Sequence, residues 1–340
     1  MKRRILGAAG ISVSEFALGA MNFGDFGSSG NADHTDVVDI IHAALDSGIN
    51  FIDTADVYSG GESEVIVGKA LKGRREDVVL ATKFGLPMSP DANHAGGSAR
   101  WIKRAVEDSL RRLDTHYIDL YQMHRTDYTT DLDETLSALS DLVRAGKVRA
   151  IGSSTFPVER TVEAQWAAEK GGHRRFLTEQ PRYSLLSRTI EEAVLPTAQR
   201  YGMGVLTYAP LSGGWLSGAD PTTKVRARIA AGEFDLSRPA NQAKIETVRE
   251  LGKVAQEAGM PLTHLALAFV RSHPAVTSVL IGPRTREQLD GLLAAADAEL
   301  SDDILDRPTS TSARSSSRAR SPDIVPGVPS ARAADRRGTR

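Results

Sequence analysis

The chain of 340 residues contains no cysteine, which excludes disulfides, thiolate metal sites and thiol nucleophiles. It also lacks any apolar run close to the roughly 20 residues that a membrane-spanning helix needs. Its first residues lack the apolar region of a signal peptide. We therefore expect a cytoplasmic protein whose chemistry comes from other side chains.

Familiar ligand-binding motifs are absent as well. No Gly-x-Gly-x-x-Gly follows a strand, which excludes dinucleotide binding in the Rossmann manner. Residues 61–69 resemble a phosphate-binding loop, but Ser63 occupies the position of its first glycine and Ala70 follows the lysine. Neither His-x-His nor His-Glu-x-x-His occurs, so we expect no metal.

Charge is unevenly distributed along the chain, although the net charge is only −1. Residues 307–340 carry eight arginines and two aspartates, a net charge of +6 that leaves −7 on the remainder. A nucleic-acid partner would have to bind this segment alone, and we expect none. The segment has few large apolar residues, so we expect a disordered basic tail at 307–340 after one domain at 1–306.

Short apolar runs rich in β-branched residues alternate with amphipathic stretches over most of the chain. This alternation is typical of a parallel sheet with crossover helices. The predicted strands are 16–20, 49–53, 78–83, 118–124, 148–153, 176–180, 204–209 and 277–281. Eight such strands predict an α/β fold, the (β/α)8 TIM barrel. Residues 4–13, with turn glycines at 7 and 10, predict a hairpin across its bottom.

Helices are predicted between the strands, most of them ending at a glycine. Their predicted bounds are 36–47, 62–71, 98–113, 132–145, 158–170 and 190–201. After the seventh strand, residues 211–240 are rich in Gly, Ser and Pro. Both 241–258 and 262–272 then look helical, so one is the seventh barrel helix and the other an insertion; the pattern does not decide between them.

Ionisable residues close three consecutive predicted strands. Asp53, Lys83 and His124 end strands two, three and four, and Tyr58 lies in the loop after Asp53. Barrel enzymes keep their chemistry at the carboxyl ends of the strands, so we expect these side chains to meet at one opening. Tyr117 and Tyr121 lie within the strand pattern and are expected to pack.

This combination of residues suits proton delivery to an alkoxide. A phenol with a pKa of about 10 is a weak acid at neutral pH, and an adjacent ammonium lowers that pKa. We expect Asp53 to keep Lys83 charged, Lys83 to bring the pKa of Tyr58 toward the working range, and His124 to hydrogen-bond a substrate carbonyl oxygen.

Five segments resemble the aldo-keto reductase family: GINFIDTADVY at 48–58, AVEDSLRRL at 105–113, IDLYQMH at 118–124, IGSS at 151–154 and YAPL at 208–211. The resemblance implies a catalytic tetrad of Asp53, Tyr58, Lys83 and His124. Tyr58 would be the general acid, NADPH the hydride donor and a small carbonyl compound the substrate.

The resemblance also implies cofactor-binding positions. Met21 and Asn22 would lie near the nicotinamide ribose, and Ser153, Ser154 and Gln180 at the carboxamide, with Asp53 nearby. Tyr208 would stack on the nicotinamide ring. Arg284 could pair with a 2′-phosphate or be an ordinary exposed arginine. The remaining implied contacts are Ala209, Pro210, Leu211, Ser212, Gly213, Gly282 and Gln288.

The substrate pocket is expected among the loops after strands one, four and seven. Its expected residues are Phe23, Trp101, Tyr128 and Trp215, which favour apolar or aromatic carbonyl compounds. Family members usually continue past the position of Asp306 with an ordered segment that helps to close this pocket. We interpret the change in composition after Asp306 as a frame change or truncated homology in the coding sequence.

Two other functions fit parts of the pattern. The barrel could be a nicotinamide-binding module that senses redox state and acts through a protein partner, although such a module would not need an acid tuned by Lys83. Alternatively, Lys83 could be the Schiff-base nucleophile of a phosphate-handling lyase, which would require a deprotonated amine.

Overall fold

The computed structural model describes residues 1–24, 35–218, 235 and 237–305. The first two strands, β1 (Arg3–Ile5) and β2 (Ser12–Ser14), pair antiparallel as a hairpin. The next eight strands run parallel and close into a barrel. They are β3 (Phe16–Gly19), β4 (Phe51–Asp53), β5 (Val79–Phe84), β6 (Ile118–Met123), β7 (Val148–Ser154), β8 (Thr178–Gln180), β9 (Gly204–Thr207) and β10 (Val276–Ile281).

The predicted α/β barrel with its hairpin is therefore confirmed. All eight predicted strands are present, with ends that differ from the prediction by a few residues at most. The predicted tail at 307–340 lies outside the described residues.

Helices surround the barrel between the strands. They are α1 (Thr35–Asp46), α2 (Glu62–Ala70), α3 (Ala99–Arg112), α4 (Leu132–Arg144), α5 (Val158–Gly171), α6 (Val194–Arg200), α7 (Pro239–Glu257), α8 (Leu262–Ser272), α9 (Arg286–Leu293) and α10 (Asp302–Leu305). Among the residues described, no helix is long and apolar enough to cross a membrane.

The structure decides which helix after β9 belongs to the barrel. Helix α8 is buried along most of its length and packs on β10, whereas α7 packs chiefly against α8. Helix α8 is thus the seventh barrel helix and α7 the insertion.

One predicted helix boundary was wrong. A helix over 190–201 would place Pro196 in its interior, where proline removes a backbone hydrogen bond and clashes with the preceding turn. The chain instead forms a short 3-10 turn at Thr189–Glu191, and α6 begins at Val194, so that Pro196 falls in its first turn.

The barrel interior changes character along its axis. Its apolar cluster comes from the hairpin and from alternate strand positions: Leu6, Val13, Ala17, Phe51, Val79, Ala81, Leu120, Ala150, Leu206 and Leu280. Because successive strand residues point to opposite faces, Asp53, Lys83 and Gln122 also point inward, one step beyond this cluster. The interior is therefore apolar toward the amino ends of the strands and polar toward their carboxyl ends.

The hairpin covers the amino ends of the strands. The turn residue Gly7 lies so close to the barrel that an added Cβ would be 2.4 Å from the Leu177 carbonyl oxygen and 2.5 Å from the Gly204 nitrogen. Gly7 also has a left-handed φ of 52°. The close approach and the left-handed φ both favour glycine at position 7. With glycine there, the hairpin can pack directly on the barrel.

We expect Gly7→Ala to destabilise the protein much more than Gly10→Ala. Gly10 is also left-handed, but a Cβ there meets nothing within 4 Å. Its replacement should cost about 1–2 kcal/mol of backbone strain, whereas backbone overlap at position 7 should bring the loss to about 3 kcal/mol or more. Denaturant unfolding would measure both losses, and equal losses would contradict close packing at Gly7.

Candidate active site

A buried ion pair lies at the carboxyl ends of β4 and β5. The ammonium nitrogen of Lys83 donates to Asp53 Oδ2 at 2.5 Å and to the Thr54 carbonyl oxygen at 2.9 Å. Both side chains are almost completely buried. A buried charge is tolerated only when it is paired and hydrogen-bonded, and these contacts meet that condition.

Two glutamines hold the other oxygen of Asp53. The side-chain amides of Gln122 and Gln180 each donate to Asp53 Oδ1 at 2.9 Å, and Gln180 also donates to Gln122 Oε1 at 3.3 Å. The carboxylate is thus fixed on both sides. Sequence reasoning missed Gln122, although a polar residue two positions before His124 on the same strand face was a usable signal.

The environment of Lys83 keeps it charged. Burial lowers the pKa of its ammonium, but the charge of Asp53 and the hydrogen bonds of Asp53 and Tyr58 together raise that pKa above its ordinary value. Lys83 is therefore a fixed ammonium rather than a free amine.

Tyr58 is oriented by this ammonium. It begins a short 3-10 turn, Tyr58–Gly61, in which Ser59 has a left-handed φ of 50°. Lys83 Nζ donates to the Tyr58 hydroxyl at 3.3 Å. An ammonium has no acceptor, so the Tyr58 oxygen accepts and its own proton remains available for another partner.

The pKa of Tyr58 does not shift in the expected direction. Burial raises this pKa and outweighs the lowering by Lys83, so the net change is upward from the ordinary value. The prediction that Lys83 brings the pKa toward neutrality was therefore wrong, because it left out the desolvation of the phenolate. Tyr58 is a protonated phenol throughout the neutral range.

His124 lies beside Tyr58. The two ring centroids are 5.7 Å apart in an edge-to-face arrangement. Burial, followed by the positive charges of Lys83 and Arg125, lowers the pKa of His124 to about 2, so the imidazole is neutral. Its Nδ1 atom is buried and has no hydrogen-bond partner among the residues described. The four predicted catalytic side chains thus come together at the carboxyl end of the barrel.

The residues predicted at the carboxamide lie on different faces of the sheet. Gln180 and Ser154 share the inner face, and the Ser154 hydroxyl donates to the Gln180 carbonyl oxygen at 3.0 Å. Ser153 points to the outer face, where its hydroxyl donates to Glu179 Oε2 at 2.5 Å. Ser153 therefore does not line the opening.

Tyr208 follows β9 at the same end of the barrel and is half-buried. Its hydroxyl lies 3.5 Å from Oγ1 of Thr155, an exposed residue that sequence reasoning missed. The loop beyond Tyr208 has left-handed φ values of 54° at Ala209 and 50° at Ser212, and Gly213 is left-handed as well. Pro210 and Ser212 are buried, whereas Leu211 is half-buried.

The loops after β3 and β10 meet through one hydrogen bond. The Asn22 amide donates to the Gly282 carbonyl oxygen at 2.9 Å, while Met21 is exposed. Gln288 accepts from the backbone N–H of Arg284 at 2.9 Å. The Arg284 side chain is exposed and forms no ion pair within the described ranges.

The four residues predicted for the substrate pocket do not share one environment. Tyr128 is 70% exposed and lies under the Arg160 guanidinium. Phe23 and Trp215 are buried, and Trp101 is buried in a stack against His94 with 5.2 Å between ring centroids.

Possible metal ligands are not clustered in the described part of the chain. No group of three or more His, Cys, Asp or Glu side chains there could hold a metal ion.

Known proteins resemble this chain over most of its length. An uncharacterized oxidoreductase of Bacillus subtilis (strain 168), YrpG, is 41% identical over 317 residues, covering 90% of this chain and 94% of the relative. The aldo-keto reductase AMT2 of Alternaria alternata is 34% identical over 88% of either chain. A probable voltage-gated potassium channel subunit beta of Oryza sativa subsp. japonica is 32% identical over 87% of this chain and 92% of its own.

The profile of the Aldo/keto reductase family matches residues 15–312, which include every barrel strand. This match and these relatives show that the chain belongs to the aldo/keto reductase family of oxidoreductases.

Proposed function

We propose that this protein reduces a small aldehyde or ketone to an alcohol in the cytoplasm, with NADPH as the reductant and Tyr58 as the acid. The observation that carries the proposal is the direction of one hydrogen bond. Because Lys83 donates to the Tyr58 hydroxyl, the Tyr58 proton is left to donate outward. A carbonyl oxygen at the opening would be its acceptor.

The residues at the opening fit a nicotinamide. Both N–H groups of the Gln180 amide are taken by Asp53 and Gln122, so this side chain can offer only its carbonyl oxygen to a ligand. The Ser154 hydroxyl donates its proton to the Gln180 backbone carbonyl oxygen, so its own oxygen can still accept. The Gln180 side-chain oxygen and the Ser154 hydroxyl oxygen, which accept no hydrogen bond from the described residues, suit the amino group of a carboxamide, and the half-buried Tyr208 ring suits an aromatic face.

Bound NADPH would supply a hydride to the carbonyl carbon. The chain's own part is to hold the carbonyl and deliver a proton to its oxygen. The Nε2-protonated tautomer of His124 would donate a second hydrogen bond to that oxygen, which fixes its orientation. The Tyr58 proton then passes to the oxygen, and Lys83, which stays protonated beside Asp53, stabilises the phenolate left behind.

Two features support a phosphate-bearing cofactor. The left-handed residues after Tyr208 form a constrained loop of the kind found at ligand sites. Arg284 offers an exposed guanidinium without an ion-pair partner in the residues described, as a 2′-phosphate requires. NADPH is therefore favoured over NADH.

A lyase that uses Lys83 as a nucleophile is less well supported. Its amine would have to be neutral and able to reach substrate, whereas Lys83 is fully buried and its pKa is raised.

A redox-sensing module is the second candidate. The relative named as a potassium channel subunit beta favours it, since that protein is named for an assembly rather than for a reaction. We rank it second because a pure sensor would need neither the ordered Asp53–Lys83–Tyr58 contacts nor a neutral His124 beside them.

The deciding experiment is a panel of aldehydes, ketones and quinones assayed with NADPH and NADH. Oxidation of NADPH that depends on a panel member would support reduction. Tight NADPH binding without any turnover would favour the sensing module instead.

We expect Tyr58→Phe to bind NADPH as the wild type does and to lose reduction by about 10²- to 10⁴-fold, the usual contribution of a general acid. The matched control is Tyr121→Phe. The Tyr121 hydroxyl is buried and has no hydrogen-bond partner among the described residues, so its removal should leave kcat unchanged. Steady-state kinetics would measure both, and wild-type rates for Tyr58→Phe would refute the assigned role.

We expect kcat at saturating substrates to stay flat between about pH 5.5 and 8. Tyr58, whose pKa is raised, keeps its proton over this range, and His124, with a pKa lowered to about 2, stays neutral. Neither group therefore changes charge near the ordinary histidine pKa of about 6.5. A loss of activity centred there, which disappears in His124→Gln, would contradict a neutral His124.

We expect Arg284→Met to weaken NADPH binding by about tenfold or more, because a paired guanidinium contributes a charge-assisted hydrogen bond, and to leave NADH binding unchanged. Arg286→Met is the control, since Arg286 pairs with Asp290 at 3.0 Å on the neighbouring helix turn. Fluorescence titration would give the four affinities. Equal losses for the two cofactors would argue against contact with a 2′-phosphate.

A further inference from the structure

Glu179 is a buried carboxylate that the reaction described above does not use. It precedes Gln180 on β8 and therefore points to the opposite, outer face of the sheet. Its side chain is buried, yet in the described ranges no Lys, Arg or His lies within ion-pair distance. Burying an acid without a paired cation costs free energy of folding. The hydrogen bonds that Glu179 forms must therefore offset that cost, and they indicate what the residue does.

Those contacts lie at the end of β7 and in the turn between β7 and α5. Glu179 Oε2 accepts from the Ser153 hydroxyl at 2.5 Å, and Oε1 accepts from the Phe156 backbone N–H at 3.1 Å. Burial raises the pKa of Glu179 to about 7, while the hydrogen bonds from the Ser153 hydroxyl and the Phe156 N–H act to lower it. The carboxylate thus connects the end of β7, at Ser153, to the turn residue Phe156.

The turn that Glu179 holds is strained at one residue. Thr155 has a left-handed φ of 54°, a conformation that β-branched residues adopt only at a cost. Its N–H donates to the Gln180 carbonyl oxygen at 3.1 Å, and its Oγ1 reaches the Tyr208 hydroxyl. The strained residue therefore contacts both Gln180 and Tyr208, two residues that are predicted to bind the nicotinamide.

We propose that Glu179 is a positioning residue for cofactor binding: from behind the sheet, its carboxylate holds the β7–α5 turn so that Ser154, Thr155 and Tyr208 keep the geometry that receives the nicotinamide. The inference rests on the proposed function. Glu179 itself touches no reacting atom and acts through the turn.

This role depends on hydrogen bonds rather than on charge. A glutamine at position 179 could accept from the Phe156 N–H through its carbonyl oxygen and donate to the Ser153 oxygen through its amide. The Ser153 hydroxyl, already 3.3 Å from the Thr178 carbonyl oxygen, could then donate there. Leucine has a similar volume but would leave the Phe156 N–H buried without its acceptor.

The test measures NADPH affinity by fluorescence titration in the full chain, together with kcat at saturating NADPH. We expect Glu179→Leu to raise the NADPH Kd by about tenfold or more, with kcat within about threefold of the wild type, since the acid and its ammonium are untouched. Glu179→Gln should stay within about twofold of wild-type Kd. Glu179→Asp, which shortens the reach by one methylene, should be intermediate and provides the test if the leucine variant does not fold.

Glu15→Leu is the control for lost stability. Glu15 is a buried carboxylate at the other end of the barrel, paired with Arg4 at 2.8 Å, so this variant should melt earlier yet bind NADPH normally. Wild-type affinity in both Glu179→Leu and Glu179→Asp would overturn the inference, and so would Glu179→Gln binding as weakly as Glu179→Leu. If the wild type bound no NADPH, the proposed function would fail instead.

Discussion

The Lys83 ammonium lies inside the barrel without contact with water, and the rest of the site is arranged around that charge. Removing an ammonium from water is unfavourable unless a carboxylate and further acceptors replace the solvent. Asp53 and the Thr54 carbonyl oxygen do so here, and Gln122 and Gln180 fix Asp53 in turn. Because Lys83 can only donate, it also sets which way the Tyr58 hydroxyl faces. The stability of the buried charge and the orientation of the Tyr58 hydroxyl therefore have the same origin.

The barrel was predictable because its signal is repeated. Eight apolar runs, each bounded by a helical stretch, leave few other folds, and the ionisable residues that close three of them marked the right end of the barrel. The face of an individual strand residue was not predictable. Parallel strands are buried on both sides and read as continuous apolar runs, so nothing in Ser153 and Ser154 indicates which one faces inward. Glu179 was hidden for the same reason.

Opposing effects of similar size limited the prediction of the Tyr58 pKa and of one helix boundary. Sequence reasoning gave the correct sign for the action of Lys83 on Tyr58, but not the extent of burial that outweighs it. The predicted helix over 190–201 was wrong for a similar reason. Its amphipathic pattern favours a helix throughout, but one proline prevents the helix from beginning as early as residue 190. The aromatic residues expected at the pocket were chosen by type and loop, and side-chain packing, which places Trp101 against His94, cannot be read from either.

The hairpin packed across the amino ends of the strands also gives the molecule a defined polarity. A segment or tag fused ahead of Arg3 would leave the protein on the side away from the Tyr58 and Lys83 opening. Attachment to a solid support through that fusion would orient every copy with the Tyr58 and Lys83 opening toward the bulk solution. The same protein coupled at random through its surface lysines would present a mixture of orientations, some of them obstructed.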